Sequence, residues 1–350
     1  MSKTETLSKE DSILLNYLKG LAILVVVLGH LGLGWIYLPY SSYTSLAVPL
    51  FFFCSGYLFF FLYKRRQSFL QFSKKRLLGV VLPYYIIYIL AFAIALCVKG
   101  NFQDINLMHF IRMLFLVPTG SEVPFPMDQI WFLKVFLSCV IVAPFLLASS
   151  EKVNHHLILV ALLLALIVAT IEAYSPIHAQ LIWNRHNFYQ DIVYGAYFYA
   201  GLYLAGFDWK DKKREVIGLA LILLVLSIAF NIVRPAGFDL GKHATAPTVF
   251  YLFLGVAFGL IVFCLHRQII SILKYNSIVS SFINYCGTHS FSIFLIHSFF
   301  IYFSEVQFGW VGVMHNPVLA VSKVTFVLVS SLIVAYPISW LCKKATALIS

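Results

Sequence analysis

Two histidines and a lysine lie within the apolar stretches of this sequence, where ionisable side chains are rare. Lys19 and His30 share the run LKGLAILVVVLGH and are eleven residues apart. Eleven residues are about three helical turns, which places both side chains on one face, about 16 Å apart along the axis. Because an ionisable group in the bilayer is costly and neutral imidazole is a common general base, His30 is the candidate catalytic residue. A histidine bonded to a neighbouring helix is the alternative, and Lys19 also fits a snorkelling anchor.

The second histidine belongs to the run CGTHSFSIFLIHSFF near the end of the chain. Ser290 and His297 are seven residues apart, which is two helical turns, so they too share a face. Glu305 follows at the outer end of the same run. This stretch is the second candidate for intramembrane chemistry.

Two further apolar runs carry polar side chains at their ends. PLFFFCSGYLF contains Tyr57, whose hydroxyl needs a partner, and Gly56, whose small size favours close helix packing. MDQIWFLKVF contains Asp128 at its outer mouth and Trp131, which fits an interfacial aromatic belt. Lys134 lies about one turn inside and requires a carboxylate, carbonyl or water partner.

A basic cluster, Lys74, Lys75 and Arg76, precedes the third apolar run. Basic side chains bind phosphate groups, but such a cluster is also a common topology anchor. Pro83 is expected to kink the helix that follows.

The apolar stretches predict an all-α, polytopic integral membrane protein of about ten transmembrane helices. Hydrophobic residues make up 61% of the 350 residues and charged residues 11%, against about 25% in soluble proteins. We expect one membrane domain over residues 1–350, with a cytoplasmic leader at 1–12 and a cytoplasmic tail at 342–350. At about 20 residues per span, the predicted spans are 13–35, 46–63, 79–98, 129–148, 157–173, 190–206, 216–233, 247–265, 287–304 and 318–341.

Positive charge alternates between the loops that join these segments. Eighteen of the 25 Lys and Arg residues fall in one alternating set of loops and five in the other. Because cytoplasmic loops carry the excess, both termini are expected in the cytoplasm. This layout assigns the net charge of +11 to topology rather than to nucleic acid. None of the six cysteines forms a CxxC pair, so no disulfide framework or zinc site is predicted.

In order along the chain, these segments resemble the acyltransferase 3 family of membrane O-acyltransferases. The matching features are a basic residue spaced before a histidine (Lys19 and His30), an FFxxSGY-like run (Phe51 to Tyr57), RxxR followed by proline (Arg76 and Pro83), WFL (Trp131 to Leu133), and G-x-x-S before a YLxH-like run (Gly287, Ser290 and His297). Lys19 replaces the usual arginine and Gly79 the second arginine of RxxR. We expect the chain to act without an appended extracytoplasmic hydrolase-like domain.

The resemblance implies transfer of an acyl group, expected to be acetyl, from cytoplasmic acyl-CoA to a hydroxyl of an extracytoplasmic or lipid-linked polysaccharide. His30 would deprotonate that hydroxyl or carry the acyl group itself. Acetyl-CoA is the expected co-substrate, with no metal, in a bacterial cytoplasmic (inner) membrane. The residues assigned to the acyl donor and its channel are Lys19, Tyr57, Lys75, Arg76, Trp131, Ser290 and His297, and those on the acceptor side are Asp128 and Glu305.

The expected partners are membrane lipid and a surface glycan such as capsule or O-antigen, while a homo-oligomer or a glycan-assembly complex stays open. Two other functions fit the same residues. An exporter of polysaccharide or lipid-linked sugar would also line a polar path with intramembrane histidines. A structural subunit of a glycan-assembly complex would need no chemistry from them.

Overall fold

The helices of the chain occupy its apolar stretches in order. The computed structural model describes residues 7–32, 40–63, 69–99, 111, 114–116, 130–147, 155–183, 186–233, 237–312 and 316–349. The α-helices are α1 (Lys9–His30), α2 (Ala47–Tyr63), α3 (Phe69–Lys99), α4 (Ile130–Leu147), α5 (His155–Tyr174), α6 (Phe188–Ala205), α7 (Lys213–Val233), α8 (Leu240–Thr245), α9 (Val249–Cys264), α10 (His266–Tyr275), α11 (Ser277–Thr288), α12 (Ser290–Phe308) and α13 (Pro317–Ile349). A 3₁₀-helix, η1 (Tyr40–Leu46), precedes α2, and β1 (Ile182–Trp183) pairs with β2 (His186–Asn187) as a short antiparallel ribbon.

Each of the ten predicted segments coincides with one of these helices. Among the described residues, seven helical segments are long and apolar enough to cross a membrane, and the pair α9 and α10, bent by 65°, makes an eighth. The apolar part of α3, Leu78–Ile94, is shorter. The helix α6 is rich in tyrosine and is mostly buried among its neighbours, so it need not be apolar towards lipid. The chain is a helical multi-pass protein; the count of ten and the cytoplasmic termini stay predictions.

Two helix ends differ from the predicted spans. The first helix ends at His30 and not at residue 35, because Gly32 adopts a positive φ of 96° and its N–H bonds to the Gly29 carbonyl at 3.0 Å. A glycine in that conformation ends a helix at little steric cost. The segment predicted to begin at residue 287 begins at Ser290, because the chain breaks at His289 between α11 and α12. Both ends matter for the site described below.

Helices α2 and α6 form the centre of the bundle through two reciprocal glycine contacts. A Cβ atom added to Gly56 would lie 1.8 Å from the carbonyl oxygen of Phe198. One added to Gly201 would lie 2.0 Å from the carbonyl oxygen of Phe53. Small residues allow such backbone approach between membrane helices, where packing takes the place of the hydrophobic effect. The packing role predicted for Gly56 is confirmed.

Helix α1 is fixed against α11 in the same way. A Cβ on Gly20 would meet the Ile283 carbonyl oxygen at 2.2 Å, and one on Gly287 the Asn16 carbonyl oxygen at 1.9 Å. The Asn16 side-chain amide also donates to the Asn284 carbonyl at 3.0 Å. These contacts set the position of the helix that carries Lys19 and His30.

Three helices, α5, α7 and α13, lie at the periphery of the bundle. Each is apolar along its length but only about a fifth buried inside the protein. Large apolar side chains such as Val160, Ile232 and Ile333 are exposed on them. Such surfaces are suited to contact with lipid tails.

The crossing of α2 and α6 predicts a strong dependence on Gly56. We expect Gly56→Ala to lower the free energy of unfolding by about 1–3 kcal/mol, because the added methyl group overpacks the interface. Thermal unfolding of the detergent-purified protein measures the effect. Gly218→Ala is the matched control, since a Cβ there meets nothing within 4 Å. Equal melting temperatures for the two variants would contradict the packing.

Candidate active site

A cavity of about 480 Å³ lies beside the end of α1. Its walls come from the last turns of α1, from η1 and the start of α2, from α4 and α6, and from the loop that includes α8. The lining residues are Val25, Val26, Gly29, His30, Ser42, Thr44, Ser45, Val48, Trp131, Gln190, Tyr194, Asp239, Gly241 and Ala244. This size is ordinary for a small-molecule site.

His30 lies on the wall of this cavity and is hydrogen bonded to the second predicted histidine. Nδ1 of His30 and Nε2 of His297 are 2.7 Å apart. The two ring planes are within 5° of parallel, and the ring centroids are 5.0 Å apart. His30 is exposed, whereas His297 is completely buried. Of the two histidines, only His30 is therefore accessible to a ligand in the cavity.

The hydrogen bonds of His297 determine which nitrogen carries each proton. Nδ1 of His297 lies 3.2 Å from the carbonyl oxygen of Ile293, which can only accept, so Nδ1–H donates. In the neutral ring, Nε2 of His297 is then an acceptor, and Nδ1–H of His30 donates to it. Nε2 of neutral His30 is consequently the basic nitrogen. A histidine oriented through its Nδ1–H is the arrangement used by general bases.

An aromatic wall faces the same cavity. The Trp131 and Tyr194 rings lie with centroids 4.9 Å apart. The Tyr194 hydroxyl donates to the Ala244 carbonyl at 2.6 Å, which ties α6 to the loop around α8. Trp131, predicted for the donor channel, thus lies in the cavity that contains His30.

Polar groups from η1 and the α8 loop form the opposite side. The Ser42 hydroxyl accepts from the Leu240 N–H at 2.9 Å, joining the two segments. One Asp239 oxygen accepts from the Gly241 N–H at 3.0 Å. The Ser45 hydroxyl oxygen is buried and has no hydrogen-bond partner. A buried unpaired hydroxyl costs about 1–3 kcal/mol, which a water or ligand group would offset.

Lys19 is half-buried and faces α2. The Cys54 thiol on α2 is the ionisable group that interacts with it electrostatically. Among the ion pairs of the described residues, which are His178 with Glu172, Lys210 with Asp11 and Lys323 with Glu305, none involves Lys19. The cavity ends at Val25 and Val26 and does not reach Lys19.

Three other predicted residues lie away from the cavity. The Tyr57 hydroxyl accepts a hydrogen bond from Nε1 of Trp209 at 3.3 Å. Ser290 is buried at the start of α12. Glu305 forms an ion pair with Lys323 at 2.7 Å, so its carboxylate has a partner between α12 and α13.

The remaining predicted site residues lie outside the part of the chain that the structure describes. The side chains of Lys75 and Arg76 on α3 lie outside the described side chains, and Asp128 lies outside the described residues. Their assignments to donor and acceptor stay predictions.

Lys134, which was expected to need a partner, interacts electrostatically with the Asp191 carboxylate of α6, but the two are not among the ion pairs of the described residues. Asp191 also accepts from the Ser138 hydroxyl at 3.2 Å. The hydrogen bond between Ser138 and Asp191 joins α4 and α6.

Metal ligands do not converge in the described part of the chain. No group of three or more His, Cys, Asp or Glu side chains there is arranged to hold an ion. The absence of a metal stays a prediction.

Gln190, Tyr194 and Asp239 were not predicted from the sequence. Gln190 and Tyr194 are four residues apart on α6, so they share a helix face. That spacing is a usable signal, although α6 is tyrosine-rich throughout. Asp239 lies in the loop segment FDLGK, where spacing indicates a helix N-cap and no site.

The helices and the site together define a multi-pass membrane protein with a hydrogen-bonded histidine pair at a cavity. The family model for the acyltransferase domain of the acyltransferase 3 family matches residues 13–340. The chain therefore belongs to the acyltransferase 3 family, which confirms the resemblance. No curated protein and no solved structure matches the sequence.

His243, on α8 beside the cavity, is buried with both ring nitrogens bonded. Nε2–H donates to the Gly237 carbonyl at 3.2 Å, and Nδ1 accepts from the Thr248 hydroxyl at 3.0 Å. Burial lowers the pKa of His243 below its usual 6.5; the Gly237 carbonyl and Asp239 oppose this shift, and Lys242 adds to it. The fold therefore favours the neutral ring.

A lowered pKa in the folded state means that His243 contributes its full stability above about pH 6.5. That contribution is lost as the pH falls towards the folded-state pKa. We expect His243→Gln to reduce the pH dependence of unfolding between about pH 7.5 and 5 by up to one proton. Thermal unfolding across that range measures it, with His156→Gln, an exposed histidine on α5, as the control. Unchanged pH dependence in His243→Gln would contradict the assignment.

Proposed function

We propose that this acyltransferase moves an acyl group, acetyl, from cytoplasmic acyl-CoA to a hydroxyl of an extracytoplasmic or lipid-linked polysaccharide. Membership of the family supports acyl transfer. The observation that carries the proposal is the position of His30, on the cavity wall and oriented by His297.

In the first route His30 is the general base. Nε2 takes the proton of the acceptor hydroxyl as its oxygen bonds to the thioester carbonyl carbon. The carbon–sulfur bond then breaks, and the imidazolium returns the proton to the CoA thiolate. In the second route Nε2 attacks the thioester carbonyl carbon and expels the CoA thiolate, leaving an N-acyl-imidazolium. The hydroxyl oxygen then attacks that acyl group, the carbon–nitrogen bond breaks, and the hydroxyl proton goes to the thiolate. Both routes need an unprotonated Nε2, which the tautomer assigned above supplies.

The donor side of the proposal rests on Lys19. A half-buried ammonium group with no carboxylate partner among the described residues is suited to an anionic ligand. Acyl-CoA carries phosphates that an ammonium group binds. We assign Lys19 to the donor, with Lys75 and Arg76 at the cytoplasmic surface.

The acceptor side rests on the cavity. Aromatic faces next to hydroxyl, amide and carboxylate groups match a sugar, which has both apolar C–H faces and hydroxyls. The half-buried Trp131 supplies the aromatic face, with the fully buried Tyr194 ring packed against it, and Ser45, Gln190 and Asp239 supply the polar groups.

The first test is His30→Ala in cells and in the purified protein. We expect acyl transfer to fall at least about 100-fold, because general acid–base catalysis typically contributes that much or more. Transfer of labelled acetyl from acetyl-CoA to glycan measures it, and the amount of protein in the membrane should be unchanged. His156→Ala, an exposed histidine on a peripheral helix, is the matched control and should retain activity.

Unchanged acetylation in well-expressed His30→Ala would contradict a catalytic role. Loss of glycan from the surface, with full acetylation of the glycan that accumulates inside, would favour an exporter instead.

The second test separates the positioning role of His297 from a structural one. His297→Leu removes the acceptor for Nδ1–H of His30. We expect kcat to fall about 10–100-fold with KM little changed, which is the range found when the hydrogen-bond partner of a metal-binding histidine is removed. His297→Gln keeps an acceptor oxygen at similar reach, so it should restore much of kcat. If both variants lose activity equally while remaining folded, His297 does not act by orienting His30.

A further inference from the structure

The cavity beside His30 has an uneven distribution of charge. Among the described residues that line it, the polar side chains other than His30 and the Trp131 indole are hydroxyls, one amide and one carboxylate, that of Asp239. No lysine or arginine lines it among the described residues. A ligand in this space therefore meets one fixed negative charge and no described positive charge.

The carboxylate of Asp239 is held in place and keeps one oxygen for a ligand. Asp239 is half-buried, and Oδ1 accepts from the Gly241 N–H at 3.0 Å. That bond caps α8 and fixes the side chain. Oδ2 forms no hydrogen bond with the described residues, so it can accept from a sugar hydroxyl.

Other groups in the cavity indicate a polar but uncharged ligand. The buried Ser45 hydroxyl has no partner and requires one from a ligand or water. The half-buried Trp131 ring, with the fully buried Tyr194 ring tilted 50° behind it, suits the apolar side of a sugar ring. None of these groups compensates a second negative charge.

We infer that the sugar unit acylated at His30 is neutral, and that Asp239 excludes anionic units such as uronates and phosphorylated sugars. This inference rests on the proposed function and names the substrate class of the same site. Two like charges that share a cavity of this size repel, at an effective dielectric constant of about 20, enough to disfavour the anionic unit at least about tenfold. Oδ2 accepting a hydroxyl proton adds selectivity for a sugar that presents a donor there.

The first experiment uses cells that carry the natural gene. The surface glycan of the deletion strain is compared with that of the complemented strain, and the lost ester is located by mass spectrometry and NMR. We expect the ester on a neutral sugar unit. An ester on an anionic unit would overturn the inference and would show that basic side chains outside the described residues control the site. If no ester is lost, the proposed function itself fails, and the inference falls with it.

The second experiment measures selectivity directly. Purified full-length protein is given labelled acetyl-CoA and matched methyl glycosides that differ only at C6, glucoside with glucuronide and galactoside with galacturonide. We expect kcat/KM for the neutral member to be at least tenfold higher in each accepted pair. Asp239→Asn should reduce the ratio several-fold while keeping the cap, because asparagine also accepts from the Gly241 N–H. Asp239→Lys should reduce the ratio further.

Asp208→Asn, an exposed aspartate on the loop before α7, is the control and should leave the ratio unchanged. Equal use of neutral and anionic members by the wild type, or the same ratio in Asp239→Asn, would overturn the role of Asp239. Those outcomes leave acyl transfer intact, so they are distinguishable from failure of the proposed function. If no glycoside is accepted, the sugar unit that carries the ester in cells decides whether the inference stands.

Discussion

The hydrogen bond between His30 and His297 is the interaction on which the site depends. An imidazole surrounded by apolar helices needs a partner for each nitrogen that lacks water. His297 meets this need in two directions, towards the Ile293 carbonyl in its own helix and towards His30 in α1. The bond closes only if the last turn of α1 lies against the middle of α12. Everything that fixes α1 therefore also fixes the proton arrangement of the pair.

Backbone approach at glycines provides that fixing. Gly20 and Gly287 let α1 and α11 touch, and α11 leads directly into α12 through the break at His289. One helix contact, that of α1 with α11, and one chain break, that between α11 and α12, therefore connect His30 to His297. On the far side, Gly56 and Gly201 bring α2 against α6, which carries Tyr194 and Gln190 to the cavity. Steric close contact, rather than a polar network, sets the dimensions of the site.

The sequence predicted the helical segments well because bilayer thickness imposes a length and a composition on each of them. It also singled out His30, His297 and Trp131, because an ionisable or aromatic residue is conspicuous in an apolar run; the structure brings the three to one place, and their roles stay predictions. The sequence did not predict that the two histidines are paired. Their contact spans 267 residues of chain and depends on helix crossings that periodicity does not encode. Asp239 was missed for a similar reason. The sequence shows Asp239 only as a loop residue that caps a six-residue helix. Its position in the wall of the cavity depends on how that loop folds.

The hydrogen-bond partner of His297 on the side away from His30 also constrains the chemistry. In a serine–histidine–aspartate triad, a carboxylate stabilises the imidazolium that forms during reaction. Here the chain of hydrogen bonds ends at a neutral backbone carbonyl, and no described carboxylate bonds to His297. A positive charge on His30 therefore meets only a dipole at the far end of the pair, and Asp239 is the one carboxylate among the described residues that line its cavity. In the proposed reaction the departing thiolate is a strong base formed beside the imidazolium, so prompt return of the proton to it fits this site better than export of the proton. A base that is neutral before and after each turnover is also the form that apolar surroundings favour.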